Sequence, residues 1–341
     1  MKRAIVIIVL VVGFFMLQTF YRAGQFRSIN NSIKGEVIQT YSSMPGPEDM
    51  QVDHRSGKLF ISSTERRTDD KADNGIYMLE IASSGQPIKM QTTLKGEFNP
   101  HGISLFRKDS VLLLFVINHT QDGDKVEKFR VEGEVLEYES SFSSKLMCCP
   151  NDLVAIGHDQ FYVTNDHGSK AGFSRAMEDY LRIPRASIVF YNGVGFETVA
   201  KPFHYANGIN ISKDKKFLYL AETTGAAISI FEIEANGDLQ QLNSVDVGTG
   251  VDNIDIDEEG NLWVAAHPKL LDFVQHQKDS INLSPSEVIK LIPIENNKFR
   301  IERIYMNDGT ELSGSSVAIR YNDNIFIGTV LNRQVLRVKL N

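Results

Sequence analysis

Short pairs of polar residues precede an alternating strand pattern at six places in the chain, starting at residues 48, 101, 151, 207, 252 and 315. The side chains in these pairs that carry a carboxylate, an amide or an imidazole include Glu48, His101, Asn151, Asn207, Asp252 and Asn253. Carboxylate and amide oxygens are hard donors of the kind that calcium prefers, whereas zinc favours histidine and cysteine. With water or a substrate oxygen, the carboxylates and amides approach the roughly six to eight ligands that calcium takes. The pattern therefore predicts a calcium site formed by Glu48, Asn151, Asn207, Asp252 and Asn253.

Local capping is the alternative explanation for each pair taken alone, because short polar side chains often bond the neighbouring backbone of a hairpin. Five candidate ligands drawn from four equivalent pairs favour the metal over capping. Asp49 and Asp152 are the second members of their pairs, one residue deeper in the strand. They could hold a second, structural cation.

Imidazoles supply the other reactive groups. His101 stands at a ring position in FNPHGIS, where a neutral imidazole could accept a proton near pH 7. His119 and His267 each follow an apolar strand and are equally compatible with buried structural histidines, and His167 is equally compatible with a loop. The remaining four are expected at the surface: His54, His158, His204 and His276.

The elements that must position these pairs repeat along the chain. Each pair is followed by a short strand, a polar turn and a more apolar strand, and successive copies lie 53, 50, 56, 45 and 63 residues apart. A period of about 50 residues built of strands is typical of a β-propeller with about four strands per blade. Six copies predict an all-β, six-bladed propeller, in which the innermost strands bring the polar pairs together around the central channel. Other strands are predicted at 76–80, 129–138, 188–191, 228–232, 288–292 and 335–340, and one helix at 174–181.

The N-terminus differs from the rest of the 341-residue chain. Lys2 and Arg3 precede a run that is apolar over residues 4–17, which predicts a transmembrane signal anchor within residues 1–27. The propeller, residues 28–341, would then lie on the extracytoplasmic side of the membrane. A cleaved signal peptide, and secretion, is the alternative.

Composition and the absence of certain motifs exclude some classes of function. The formal net charge is −7 and no basic run or zinc-knuckle spacing occurs, so nucleic acid is not an expected partner. No GxSxG motif occurs, which argues against a serine nucleophile of the hydrolase-elbow type. Cys148 and Cys149 are adjacent and are predicted to be two small buried residues rather than a disulfide.

Several motifs resemble those of the paraoxonase (serum paraoxonase/arylesterase) family. PEDMQVD, FNPHGIS, INH, PNDLVAIG, FYVTNDH, ANGINIS, LYLAE, VDNIDID, LWVAAHP and IGTV occur in that family's order from about residue 45 to about residue 330. The resemblance implies a six-bladed propeller with two Ca²⁺ ions in its central tunnel that hydrolyses lactones and aryl esters. Vertebrate members join their first and last strands with a disulfide, but neither end of this chain has a cysteine. Closure must therefore rest on hydrogen bonds.

The resemblance also implies roles for individual residues. The catalytic calcium ion would be bound by Glu48, Asn151, Asn207, Asp252 and Asn253, and the structural ion by Asp49, Asp152 and the backbone carbonyl of Ile103. His101 and His119 match a histidine dyad, and His267, Asp166 and His167 match active-site positions. The helix at 174–181 resembles a segment that covers the pocket.

Residues and resemblance together predict metal-assisted hydrolysis of a small-molecule ester or lactone. Calcium would polarise the carbonyl, His101 would act as base, and His119 would orient it or pass its proton onward. A non-catalytic propeller that keeps calcium for stability is one alternative. Another is a different propeller chemistry, either a sugar lactonase of the gluconolactonase type or a strictosidine-synthase-like condensation.

Overall fold

Twenty-six strands and three helices form in residues 2–295 and 297–341, which this computed structural model describes. Before the first blade come α1 (Lys2–Arg22), β1 (Ser32–Ile33) and β2 (Gly35–Ser42). Blade one has β3 (Pro47–Asp53), β4 (Lys58–Ser63), β5 (Gly75–Glu80) and β6 (Ile88–Lys89). Next come β7 (Gln91–Thr92) and blade two, with β8 (Pro100–Lys108), β9 (Val111–Thr120), β10 (Gly123–Glu132) and β11 (Val135–Phe142).

Blades three and four continue the pattern with one inserted helix. Blade three has β12 (Pro150–Gly157), β13 (Gln160–Asn165), α2 (Phe173–Leu181), β14 (Ala186–Tyr191) and β15 (Phe196–Phe203). Blade four has β16 (Ala206–Ile211), β17 (Phe217–Glu222), β18 (Ala227–Ile233) and β19 (Leu239–Asp246).

The last two blades include the second inserted helix. Blade five has β20 (Gly250–Ile256), β21 (Leu262–His267), α3 (Leu270–Lys278), β22 (Ser286–Ile294) and β23 (Lys298–Asn307). Blade six has β24 (Ser315–Tyr321), β25 (Asn324–Thr329) and β26 (Gln334–Leu340).

The six sheets form a closed ring. Each sheet has one of β3, β8, β12, β16, β20 and β24 at its end. These six strands contact one another in that order, and β24 contacts β3. They are therefore the inner strands, and the predicted six-bladed propeller is confirmed.

Hydrogen bonds between the two ends of the chain close the ring. β2 forms the outer edge of blade six, where it pairs antiparallel with β26 and places Val37 opposite Val338. β1 adds to the edge of blade five, with Ser32 opposite Met306. The N-terminal segment thus fastens two blades, as expected for a chain with no cysteine at either end.

Among the described residues, six apolar clusters fill the spaces between neighbouring blades, one for each pair. The apolar run in β9 shows how the sequence achieves this. Leu112, Leu114 and Val116 pack toward blade one, whereas Leu113 and Phe115 pack toward blade three. Because successive strand residues point to opposite faces, a continuous apolar run serves two cores.

Two local predictions were wrong. The single strand predicted at 129–138 is the end of β10 and the start of β11, separated by a turn at Gly133, whose φ is 63°. The helix α3 was not predicted, although Pro268 and the apolar residues at 270, 271, 273 and 274 mark its start.

The N-terminal helix reaches the propeller. The carbonyl of Ala23, just after α1, accepts a hydrogen bond from the Leu270 amide at the start of α3 (2.9 Å). Within the described residues, no helix combines the length and apolarity needed to cross a membrane. The structure therefore gives no support to the predicted transmembrane anchor.

Glycine is required where inner strands approach most closely. A Cβ at Gly208 would lie 2.5 Å from the Asp252 carbonyl oxygen and 2.6 Å from the Asn253 Cα, both backbone atoms of the next inner strand. We expect Gly208→Ala to lower the free energy of unfolding by about 1–3 kcal/mol, because the two strands must separate. Gly195→Ala, which meets nothing within 4 Å, is the matched control. Equal denaturation midpoints for the two variants would contradict this packing.

Candidate active site

Every polar pair lies at a β-bulge near the start of an inner strand. The pairing register with the neighbouring strand shifts between Pro47 and Asp49, Pro100 and Ile103, Pro150 and Leu153, Ala206 and Ile209, Val251 and Ile254, and Ser315 and Val317. A bulge interrupts the ladder and changes the direction of the side chains. The side chains of the polar pairs therefore do not follow the regular alternation between the two faces of the strand at the place where the inner strands converge.

A cavity of about 440 Å³ opens at this end of the channel. Seven of the predicted site residues line it: Glu48, His101, Asn151, Asp166, Asn207, Asp252 and His267. Asn253 stands behind Glu48, with its Nδ2 donating to Glu48 Oε1 (3.0 Å). The structure therefore brings the predicted ligand set together.

Four buried oxygens in this set have no hydrogen-bond partner among the described residues. They are Glu48 Oε2, Asn151 Oδ1, Asn207 Oδ1 and Asn253 Oδ1. His101 Nε2 is 3.4 Å from Glu48 Oε2, but without hydrogen-bond geometry. Leaving a buried polar atom unsatisfied costs about 1–3 kcal/mol, so several at one place indicate a bound partner. All four atoms are hard oxygen donors, which fits calcium.

The composition of the site also determines which metal fits. Across residues 2–295 and 297–341, no three histidine, cysteine, aspartate or glutamate groups form a metal cluster. A cation here would depend on amide oxygens from Asn151, Asn207 and Asn253. This donor set fits calcium rather than zinc.

The two carboxylates of the predicted catalytic-calcium site, Glu48 and Asp252, line the cavity in different electrostatic surroundings. Burial opposes ionisation of Glu48, but His101 and Arg66 outweigh it and lower its pKa to about 2. Burial raises the pKa of Asp252 above its usual range, although His267 opposes the shift. Glu48 is therefore the more firmly charged of the two.

Asp49 and Asp152 bridge neighbouring inner strands. Asp49 Oδ2 accepts from the Ile103 amide of blade two (2.7 Å). Asp152 Oδ2 accepts from the Ile209 amide of blade four (2.8 Å). The pKa of both carboxyls is raised by burial, and that of Asp49 also by the nearby charge of Asp152. Their mutual repulsion is consistent with a cation between them, and a role for the Ile103 carbonyl stays a prediction.

The two histidines of the predicted dyad are in contact. His101 Nδ1 lies 2.9 Å from His119 Nε2. His119 Nδ1 lies 2.8 Å from Asp124 Oδ1, and Lys170 Nζ donates to Asp124 Oδ2 (2.8 Å). Burial, with help from the neighbouring His101, lowers the pKa of His119, which favours a neutral ring at pH 7. When His119 donates through Nδ1 to Asp124, its Nε2 accepts from His101 Nδ1, and a neutral His101 then has a free lone pair on Nε2.

Asp124 and Lys170 are parts of this chain of contacts that the sequence did not reveal. Asp124 is opposite His119 in the β9–β10 ladder. The pairing of the β9–β10 hairpin, had it been derived from the sequence, would have placed Asp124 beside His119. Lys170 comes from the segment before α2 and has no spacing relation to the repeat.

His267 faces Asp252 from the neighbouring strand of blade five. Its Nε2 lies 2.9 Å from Asp252 Oδ2, and its Nδ1 has no partner among the described residues. Phe273 of α3 stacks on the imidazole, with ring centroids 3.7 Å apart and planes at 16°. The unpredicted helix thus fixes the ring of a predicted site residue.

The remaining part of α3 is anchored by a second histidine. His276, expected at the surface, is buried. Its Nδ1 donates to the Asn282 carbonyl oxygen (2.6 Å), and Arg67 Nη2 donates to the carbonyl oxygen of His276 (2.6 Å). The helix brings this ring inward, which a local polar context could not show.

His167 lies behind the cavity wall rather than on it. Its Nδ1 is 2.8 Å from Asp166 Oδ1, and its Nε2 is 2.8 Å from Asp179 Oδ1 on α2. Asp166 lines the cavity, as do Arg175 and Tyr180 of α2. Helix α2 therefore covers part of the cavity, as the resemblance implied, and His167 fastens it.

The neighbouring cysteines do not form a disulfide with each other. Both thiols are free, as predicted. Cys149 is buried, but Cys148 is only half-buried, because its Sγ reaches toward the His167 carbonyl oxygen (3.1 Å). The expectation of two buried thiols therefore holds for Cys149 alone.

Helix α2 should loosen at high pH. Burial opposes protonation of His167, but Asp166 and Asp179 raise its pKa to about 9. Because this value exceeds the unfolded value of roughly 6.5, the stabilisation is full below about pH 6.5 and is lost as pH rises through about 9. We expect the Met177 methyl NMR signal of α2 to narrow between pH 7 and pH 10. That of buried Met90 is the internal control, and a pH-independent Met177 signal would contradict the coupling.

The fold and the site define this protein as a six-bladed β-propeller with a cluster of carboxylate and amide side chains at one end of its channel. The family model described as Arylesterase matches residues 33–338. The chain is 35% identical over 317 residues to serum paraoxonase/arylesterase 1 of Homo sapiens, covering 89% of this chain and 86% of that relative. It is 37% identical over 267 residues to serum paraoxonase/arylesterase 2 of Homo sapiens, covering 76% and 75%. The chain belongs to the arylesterase family, and the resemblance seen in its motifs is confirmed.

Solved structures of low sequence identity share the fold. Regucalcin from Agrobacterium tumefaciens, described as a calcium-binding protein, superposes with a TM-score of 0.57 at 14% identity, covering 90% of this chain and 94% of that one. A gluconolactonase from Xanthomonas campestris superposes with a TM-score of 0.56 at 13% identity, covering 93% and 99%. At these identities the likeness extends to the architecture alone.

Proposed function

We propose that this protein is a calcium-dependent hydrolase of carboxylic esters, including aryl esters, and of lactones. The observation that carries the proposal is the group of buried oxygens without partners on Glu48, Asn151 and Asn207, three residues that line the cavity together with the imidazole of His101. Membership of the arylesterase family supports the same reaction class. A cavity of about 440 Å³ suits a small-molecule substrate.

The residues that would hold the catalytic ion are Glu48, Asn151, Asn207, Asp252 and Asn253. When bound, calcium supplies a Lewis acid for the carbonyl oxygen of the substrate. We propose a second, structural ion at Asp49, Asp152 and the carbonyl of Ile103. It would offset the repulsion between the two buried carboxylates.

Proton transfer falls to the histidines. His101 lines the cavity, and its Nε2 lone pair can accept a proton from water. His119 holds the other ring nitrogen of His101, and Asp124 fixes the tautomer of His119. His267, held by Asp252 and Phe273, stands on the same wall and can position the substrate.

The alternatives are less consistent with this site. A binding platform that keeps calcium for stability has no use for the His101–His119–Asp124 chain. A sugar lactonase of the gluconolactonase type shares the propeller but is supported here by fold likeness alone.

Removal of calcium from the whole protein tests the proposal. We expect hydrolysis of phenyl acetate and of a five-membered aliphatic lactone to stop with a chelator and to return with added calcium. The melting temperature should fall on chelation, because a ligand at about 100 times its Kd stabilises the fold by about 2.7 kcal/mol. No hydrolysis in a protein that calcium still stabilises against heat would favour the binding platform.

The location of the enzyme is a further part of the proposal. Lys2 and Arg3 before the apolar run of residues 4–17 support export of the propeller from the cytoplasm, either held at the membrane or secreted. A reporter enzyme that is active only outside the cytoplasm, fused after Asn341, tests this placement. An inactive reporter would contradict it.

A further inference from the structure

The wall of the cavity is rich in arginine. Arg22 at the end of α1, Arg66 after β4, Arg175 on α2 and Arg182 just after α2 all line it. The cavity, of about 440 Å³, is thus surrounded by four guanidinium groups that come from separate parts of the chain. Such a concentration of positive charge needs an electrostatic explanation. The sequence gives no hint of this cluster, because the four residues follow no common spacing.

Two of these charges are already compensated inside the protein. Arg175 lies 3.5 Å from Asp166 Oδ2. Arg66 lies 4.0 Å from Glu48 Oε2 and donates to the carbonyl oxygens of Thr64 (3.0 Å) and Gly46 (3.2 Å). Both therefore belong to the framework of the cavity wall.

The other two have no carboxylate partner among the described residues. Arg182 donates through Nε to the Thr224 carbonyl oxygen (2.8 Å), and its Nη2 contacts the same atom. Arg22 makes no ion pair in the part of the chain that the structure describes. The two lie close enough for the charge of Arg22 to add to burial in lowering the pKa of Arg182.

The two carboxylates at this end of the cavity, Asp166 and Asp179, form ion pairs with other groups among the described residues. Asp166 contacts His167 and Arg175, and Asp179 contacts His167. Two like charges held together at a cavity wall repel one another unless an anion binds between them. Guanidinium groups bind carboxylates strongly, because their planar fork of donors matches the two oxygens.

The geometry points to a substrate that carries a free carboxylate remote from its ester or lactone carbonyl, bound by Arg22 and Arg182 while the carbonyl faces the ring of calcium ligands. Apolar side chains on the same cavity, from Leu270, Leu271 and Val274, suit a short aliphatic spacer between the two groups. Hydrolysis adds one water across the acyl C–O bond. An ester whose acyl part carries the free carboxylate would thus yield a dicarboxylate, an alcohol or phenol, and a proton, and an anionic lactone a hydroxy-dicarboxylate and a proton.

This inference rests on the proposed function for the reaction, but the anion site can be tested separately. The probe pair is monophenyl glutarate, which carries a free carboxylate, and its neutral methyl ester. With the whole protein and calcium, we expect the ratio of kcat/KM for the anionic over the neutral ester to fall about tenfold or more in Arg182→Gln. Loss of one charge-assisted hydrogen bond corresponds to about a tenfold or larger change in this ratio. Arg22→Gln should lower the same ratio.

Arg185→Gln is the matched control. Arg185 follows α2 closely, is half-exposed, lies 3.8 Å from Glu178 and does not line the cavity. In Arg185→Gln, the ratio of kcat/KM for the anionic over the neutral ester should equal that of the unchanged protein. An equal loss on both esters in Arg182→Gln would mean a structural role and would overturn the inference, as would an unchanged ratio.

Binding of a substrate mimic separates this inference from the reaction. The monoanilide of glutarate carries the same carboxylate but an amide in place of the ester. Calorimetry should show that it binds the whole protein and that Arg182→Gln weakens binding by about tenfold. Arginine-dependent binding without hydrolysis of any ester would contradict the proposed function and keep the anion site. Hydrolysis of both esters with a ratio that the arginine substitutions leave unchanged would contradict the anion site and would leave the proposed function in place.

Discussion

Replacing Asp252 with asparagine should lower the rate of phenyl acetate hydrolysis by about a thousandfold or more. Asp252 is buried on the inner strand of blade five, lines the cavity and holds His267 through a 2.9 Å contact. Asparagine has nearly the same shape, so the fold should survive. The substitution removes one of the two negative charges that would hold the cation, and with it the charged partner of His267.

Asp255 on the same strand provides the matched control. Burial raises the pKa of Asp255 to about 7, so at neutral pH this carboxyl is only partly ionised and Asp255→Asn removes part of one charge. Asp255 accepts a hydrogen bond from the Arg320 amide (3.1 Å) and does not line the cavity. Rates and melting temperatures of both variants should be measured with and without calcium. Full activity in Asp252→Asn would contradict the assignment of the ring as the catalytic metal site.

The second large effect is expected at His101. His101→Gln should reduce kcat for phenyl acetate by about 10²–10⁴-fold, the usual contribution of a general base. Glutamine can still hydrogen-bond to His119 and fills similar space, but it cannot take a proton near neutral pH. The residual rate would come from the metal ring, which this change leaves in place.

The pH profile distinguishes a base from a positioning group. In the unchanged protein, the acid limb of the kcat/KM profile reports protonation of the base, and that limb should disappear in His101→Gln. His158→Gln, at an exposed turn between β12 and β13, is the matched control and should keep both rate and profile. An unaltered acid limb in His101→Gln would assign the base to another residue.

Much of the fold could be predicted from the sequence, because each blade of a propeller repeats the same local sequence pattern. Each blade begins with a polar pair at a strand start, and six copies at a period of about 50 residues define both the blade number and the inner strands. Of the features missed, helix α3 lies outside the repeat and occurs once. The β10–β11 turn lies inside the repeat, and Gly133 between Glu132 and Glu134 was the signal that could have identified it.

The types of ligand in the site also followed from the sequence. Glu48, Asn151, Asn207 and Asp252 were identifiable because equivalent positions in a ring of blades must converge, and all four line the cavity. The bulges that direct them were not identifiable, because a one-residue shift in strand pairing leaves no mark in an alternating pattern.

The sequence by itself determined the chemistry available to this protein: hard oxygens and imidazoles at equivalent positions in six blades. Only the tertiary structure decided which of those atoms lack partners and which charges surround them. Asp124, Phe273 and Arg182 come from a hairpin pairing, an inserted helix and a loop, and they reach the site through contacts between parts of the chain that have no common period. Residue types are local properties, whereas hydrogen-bond satisfaction and electrostatic balance depend on every neighbour that folding brings within a few ångströms.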